Sequence, residues 1–260
     1  MTLPISVFIV ALNESDRIGR TIRAVKDLCA EIVVVDCGSS DGTQQLAQSL
    51  GARVIHNEWP GYGAQKNFAQ DQCRYEWVFN LDADEVVTPE LAEEIRIVFE
   101  SGCPRSDAYS IRIVEVYPGN DRPRALAYGL NRVRLYKADR CRFSASSVHD
   151  VVELQPDASC EQLKQRIHHY SLRSIGAEIS KFNAYTDAQV ADMDSRSVTI
   201  PLVRVYLEFP IAFIKAYIGR RHIIGGHYGF LVAMNYAIFR HLRVAKHYEA
   251  RRAARLKRGK

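Results

Sequence analysis

Over the first hundred positions, apolar runs alternate with amphipathic stretches. Residues 5–12 form a continuous apolar run rich in β-branched side chains, the pattern of a strand buried on both faces of a parallel sheet. Residues 15–28 place Ile18, Ile22 and Val25 on one helical face. The segment 31–36, Glu-Ile-Val-Val-Val-Asp, predicts a second buried strand. The turn Cys37-Gly38-Ser39-Ser40-Asp41-Gly42 follows, with Ser40 or Asp41 placed to cap a helix over 43–50. A short strand is expected at 53–56, a rigid Trp-Pro-Gly loop at 57–63, a helix at 64–72 and a fourth strand at 76–81. Thr88 and Pro89 read as the cap and first turn of a helix to about residue 101. This βαβαβαβ rhythm implies a parallel sheet with helices on both faces. Ligands of such sheets bind at the carboxyl ends of the strands, where Asp36 and Asp82 both stand.

The later chain changes character. Residues 108–117 and 132–136 alternate as strands around a polar loop at 118–130, and 148–154 reads as a further strand. Helical patterns cover 174–192, 201–217 and 228–257, the last two parted by Gly219 and Gly225-Gly226. No internal repeat and no uncharged apolar stretch of membrane-spanning length is present.

Composition narrows the class. The 260 residues are 47% hydrophobic and 25% charged, which excludes a disordered chain, a collagen and a disulfide scaffold. The net charge of +5 is uneven: residues 240–260 hold nine Lys/Arg against Glu249, so the remainder is slightly acidic. That basic end is what would seek an anionic surface. Nucleic acid is disfavoured, because the body is acidic and shows no recognition motif. The N-terminus lacks the basic region and cleavage site of a signal peptide. The six cysteines (29, 37, 73, 103, 141 and 160) have no zinc-like spacing and read as reduced cytosolic thiols.

Candidate chemistry gathers at the strand ends. In Asp82-Ala83-Asp84-Glu85, an extended chain would project residues 82 and 84 to one side, where two carboxylates repel unless a cation joins them. All-oxygen ligation favours Mg²⁺ or Mn²⁺, and such an ion can neutralise a leaving diphosphate. The plain alternative is a solvated acidic turn. Asp36 can accept from a base N–H or a ribose hydroxyl, or simply cap its own turn. Asn13 reads first as a helix cap.

Taken together, the spacing becomes specific. Leu12-Asn13-Glu14 after the first strand, Asp36 with Cys37-Gly38-Ser39-Ser40-Asp41-Gly42-Thr43 after the second, and Leu81-Asp82-Ala83-Asp84-Glu85 after the fourth closely resemble the family 2 glycosyltransferases. The likeness extends to Gly61-Tyr62-Gly63-Ala64-Gln65-Lys66-Asn67, Val148-His149-Asp150, residues 168–174 and residues 181–185, which look like the bacterial branch that adds glucose to the lipopolysaccharide inner core. The resemblance implies the α/β GT-A fold, a Rossmann-like, mostly parallel sheet flanked by helices, here with a helical C-terminal extension. It divides the chain into a catalytic domain, 1–172, and a helical, basic, membrane-associated region, 173–260.

The roles it implies are specific. Leu12, Asn13 and Glu14 line the nucleotide pocket, Asp36 accepts from uracil N3–H, Asp82 faces ribose and diphosphate, and Asp84 holds the divalent metal. Lys66 can reach a phosphate. The general base expected opposite the diphosphate is Asp150, where the family usually has His-Glu and this chain has His149-Asp150; Glu153 is the fallback. A late histidine completes the metal shell in some relatives of the fold. His168 and His169 point opposite ways in a strand, and His169 is the one taken here.

The expected activity is an inverting, metal-dependent hexosyl transfer from a UDP-sugar, UDP-glucose by resemblance, to a lipid-linked saccharide such as the lipopolysaccharide core. The expected place is the cytoplasmic face of the inner membrane, in cell-envelope synthesis. Late helices with aromatics and aliphatics among Arg and Lys fit an anionic membrane surface, or else packing on the catalytic domain or a second subunit. Three rivals remain: transfer to polyprenyl-phosphate or capsule intermediates, a non-catalytic nucleotide-sugar-binding protein, and a two-carboxylate glycoside hydrolase.

Overall fold

In the computed structural model, residues 2–100, 104–144 and 151–258 are described, with side chains to 256. The chain divides into two compact units: residues 1–115 with 129–171, and residues 116–128 with 172–260.

The first unit is built on one eight-stranded sheet. Its strands are β1 (Leu3–Ala11), β2 (Cys29–Asp36), β3 (Arg53–His56), β4 (Trp77–Asp82), β5 (Glu85–Val87), β6 (Ala108–Glu115), β7 (Gly129–Lys137) and β10 (Cys160–His169). The order is β3-β2-β1-β4-β7-β6-β10-β5. The first four are parallel neighbours, as is the pair β6–β10; β7 runs antiparallel to β4 and β6, and β5 antiparallel to β10. A separate hairpin pairs β8 (Cys141–Phe143) with β9 (Val152–Leu154).

The continuous apolar runs make sense as strands covered on both faces. From β1, Ile5, Val7, Ile9 and Ala11 join one core with α1 (Ile18–Val25), Ala47 of α2 (Thr43–Ser49) and Leu91 and Ile95 of α4 (Pro89–Glu100). Phe8 faces the other way, into a second core with Ala69 of α3 (Tyr62–Asp71), Tyr136 and Phe143. Helix α4 starts as expected, with the Leu91 amide donating to Thr88 Oγ1 at 3.2 Å. Helix α1 does not start at Asn13: its cap position is Arg17, which offers no side-chain cap.

The second unit packs α5 (Ile175–Ser195) and α6 (Val203–Ile214) on α7 (Gly226–Arg258). Ser174 caps α5 by accepting from the Ala177 amide. Phe182 packs at a tilt on Phe239 and Phe213 meets Phe230 edge-on. Buried Glu208 is held by Arg204 and Arg240. The basic end is the last part of α7 rather than a free tail. Among the described residues, no helix is long and apolar enough to cross a membrane.

Candidate active site

The site grows from sheet register. β1 lies between β2 and β4, with Ala11 opposite Asp36 on one side and Val10 opposite Asp82 on the other. Strand spacing then sets the two aspartates about 10 Å apart along one carboxyl edge.

The loop after β1 is laced to the loop after β2. Asn13 sits at φ +54°, its Oδ1 accepts from the Ser40 amide at 2.9 Å, and its own amide donates to Ser39 Oγ at 2.8 Å. The Glu14 amide donates to Thr43 Oγ1 and the Ser15 amide to Asp41. These bonds take the place of the helix cap expected of Asn13. Leu12, at the head of the loop, is half exposed.

Asp36 is fully buried. Its carboxylate accepts from the Gly38 and Ser39 amides, Gln44 Nε2 and Ser39 Oγ. Burial pushes this carboxyl up, but those four donors outweigh it and hold the group below its ordinary value. It therefore stays an anion fixed by its own turn.

Asp82 and Asp84 do not lie on one extended chain. Ala83 and Asp84 form a turn, because β5 doubles back to pair with β10. Thr21 Oγ1 anchors the turn by donating to Ala83 O, and the Tyr170 amide donates to Asp84 O. Each carboxylate consequently has its own cations. Asp82 meets Lys66 Nζ at 2.8 Å and Arg134 Nη2 at 2.9 Å. Burial would raise its carboxyl, but Lys66 and Arg134 hold it well below the usual range. Asp84 meets Arg17 Nη1 at 3.0 Å and His169 Nε2 at 3.4 Å.

His169 arrives by register: β10 places it beside Glu85 of β5 and Glu115 of β6. Its Nδ1 lies 3.4 Å from Glu115. Burial disfavours its charge, yet Asp84 and Glu115 together raise its pKa well above the ordinary value. Asp84 and His169, 3.4 Å apart, are the residues that would hold a divalent ion here. Binding would expel the imidazole proton. Among the described residues no three His, Cys, Asp or Glu side chains are arranged to hold a metal by themselves.

Four residues complete the constellation: Arg134, Arg17 and Glu115, which the linear pattern does not single out, and Glu85, which stands in the Asp82–Glu85 motif without a role of its own. Arg134 reaches Asn80, Asp82 and Glu85 from β7. Glu85 is buried, and its Oε2 accepts from the Asp82 amide. Arg17 ties Glu14 to Asp84 and donates to the carbonyls of Tyr170 and Ser171. Glu115 accepts from Ser171 Oγ and flanks His169. Alternation in β7 marks Arg134 only as one of two faces; nothing in the linear pattern pairs it with Asp82. Lys66 is buried under Asp82 and over the Phe143 ring rather than extended into solvent. His149 and Asp150 lie outside the described residues. Glu153 is exposed on β9, opposite Arg142.

Residues 6–147 match the model of glycosyl transferase family 2. An uncharacterized glycosyltransferase of Rickettsia bellii is 36% identical over 254 residues, covering 95% of this chain and 86% of its own. The lipopolysaccharide core biosynthesis glycosyltransferase LpsC of Rhizobium meliloti is 32% identical over 262 residues, covering 95% and 93%. Among solved structures, glucosyl-3-phosphoglycerate synthase of Mycobacterium tuberculosis, in complex with Mn²⁺ and UDP-glucose, is 25% identical over 45% of this chain and 44% of that one, with a TM-score of 0.33.

Proposed function

The chain belongs to glycosyl transferase family 2, and on that premise we propose that it transfers a hexose, glucose from UDP-glucose, to a lipid-linked saccharide of the lipopolysaccharide core kind. The observation that carries this reading is the placing of Asp36 and Asp82 at the carboxyl ends of the two strands that flank β1, with Asp84 and His169 converging beyond them. Likeness to LpsC over nearly the whole chain supports the acceptor class.

In this reading the Leu12-Asn13-Glu14 edge and Asp36 take the nucleoside, the carboxylate of Asp36 accepting from uracil N3–H. Asp82 faces the ribose and diphosphate. Lys66 and Arg134 hold its carboxylate in place and add positive charge beneath the phosphates. Asp84 and His169 would hold Mg²⁺ or Mn²⁺, which supplies neutralisation of the leaving diphosphate. Because that stabilisation is electrostatic and preorganised, the chain's remaining tasks are to place the acceptor hydroxyl and take its proton. In this reading Asp150 is the base, and the anomeric centre inverts in one displacement. Residues 1–172 form the catalytic domain. Residues 173–260 hold the enzyme at the cytoplasmic face of an anionic membrane, where a lipid-linked acceptor is available.

The test is calorimetric titration of UDP with Mn²⁺ present and with EDTA. UDP binding that requires Mn²⁺ and vanishes in Asp84→Ala is expected. Asp150→Ala should keep that binding and lose transfer from UDP-glucose by about a hundredfold or more. Absence of UDP binding in both conditions would sink the transferase reading, and normal turnover by Asp150→Ala would sink the base assignment.

A further inference from the structure

Helix α6 and the wide turn after it, Lys215–Gly219, carry an apolar face that no described residue of their own unit covers. Val203, Tyr206, Leu207, Ile211, Ile214 and Ile218 are 46–78% exposed, Tyr206 the most. At about 100° per residue these positions fall within roughly 140° of arc, one continuous stripe. The opposite face is the packed one: Glu208, Ala212 and Ala216 are buried, and α6 lies on α7 through them. Exposed apolar surface continues in the next short helix with Ile223 and Ile224, and on α7 with Phe230 and Leu231. A contiguous apolar face of this extent marks a contact surface.

Charge chooses the occupant. Between residues 201 and 225 the sole acid is Glu208, and it is buried on Arg204 and Arg240. Lys215 and Arg221 are exposed beside the stripe, and Arg220 stands over the Tyr236 ring at 4.3 Å. A second copy of this chain would bring the same uncompensated cations to the interface. Anionic lipid headgroups would neutralise them while acyl chains take the aliphatics. The element is too short and too one-sided to span. Its 17 residues reach about 26 Å at 1.5 Å each, below the roughly 30 Å of a hydrocarbon core. Tyr206 offers the amphipathic ring that favours the headgroup boundary.

We infer that α6 and the turn following it form an in-plane membrane anchor, with the stripe Val203–Ile218 sunk into an anionic leaflet. This deepens the reading above, resting on it only for the purpose of membrane residence, and it assigns the hydrophobic contact to this face rather than to the basic end of α7.

Flotation with vesicles of phosphatidylcholine alone, and with phosphatidylglycerol added, tests it on the full chain. The intact protein should float with the anionic vesicles and much less with the neutral ones. Ile211→Glu and Tyr206→Glu should each cut flotation by about tenfold or more, and the milder pair Ile211→Ser with Ile214→Ser should cut it in the same direction. Circular dichroism and UDP affinity are measured beside them, and both should be unchanged. Failure of the intact protein to float, or flotation unchanged in variants that remain folded, would overturn the anchor. So would a solution dimer, seen by light scattering, that Ile211→Glu splits, because the stripe would then be covered by a second copy. Loss of UDP binding in the intact protein with flotation preserved would reject the transferase reading and leave the anchor standing.

Discussion

Arg134 is 6% exposed and serves three acceptors at once, Asn80, Asp82 and Glu85. It fixes the Asp82 carboxylate at the carboxyl edge and compensates a buried glutamate. Truncation would leave Glu85 charged and buried beside Asp82, or force it to protonate. Arg134→Ala should therefore cost about 3–5 kcal/mol in urea unfolding, the range for breaking a buried pair from one side. Asp36 makes the contrasting case. Its donors are local, from Gly38, Ser39 and Gln44, so its ionised state was implicit in the Cys-Gly-Ser-Ser-Asp-Gly turn. The Arg134 contacts reach across strands, and the run Arg132-Val133-Arg134 holds no sign of which arginine turns inward.

Among the elements, the early strands and helices follow the apolar periodicity closely, because each is a whole run bounded by turn residues. The expected strand at 53–56 and the Thr88-Pro89 helix start are found as read. The pattern does not show the short pieces β5 and β8, since three residues carry no period; β5 takes its place by pairing with the distant β10, and β8 with β9 of its own hairpin. In the helical unit, tight approach shows at glycine. A Cβ on Gly229 would run into the His222 carbonyl oxygen, backbone that cannot swing aside. Gly176, in the first turn of α5, has nothing within 4 Å. Gly229→Ala should lower stability by about 1–3 kcal/mol through overpacking. Gly176→Ala should raise it by about 0.5 kcal/mol through a stiffer unfolded chain and better helix propensity. Thermal unfolding of the two variants side by side checks the pair.

For the molecule as a whole, the decisive event is the return of β10 to lie between β5 and β6. It carries His169 to Asp84 and Glu115, joining residues from three separate stretches of chain. If His169 shares an ion with Asp84, His169→Ala should weaken Mn²⁺-dependent UDP binding by about tenfold or more. Unchanged Mn²⁺-dependent affinity, read by the same calorimetry, would make the ring a structural link between Asp84 and Glu115.

The sequence by itself determined the alternating strands and helices, the strand-end positions of Asp36 and Asp82, and the family to which the motifs belong. These follow from local rules: side-chain period, turn residues, and the placing of polar groups where buried runs end. Tertiary structure alone decided that Asp82 and Asp84 part company at a turn, that Lys66 and Arg134 share one carboxylate, that Asn13 laces two loops instead of capping a helix, and that α6 keeps an uncovered apolar face. Each of those depends on which distant segment lies alongside, and linear spacing holds no record of that until strands pair and register is fixed.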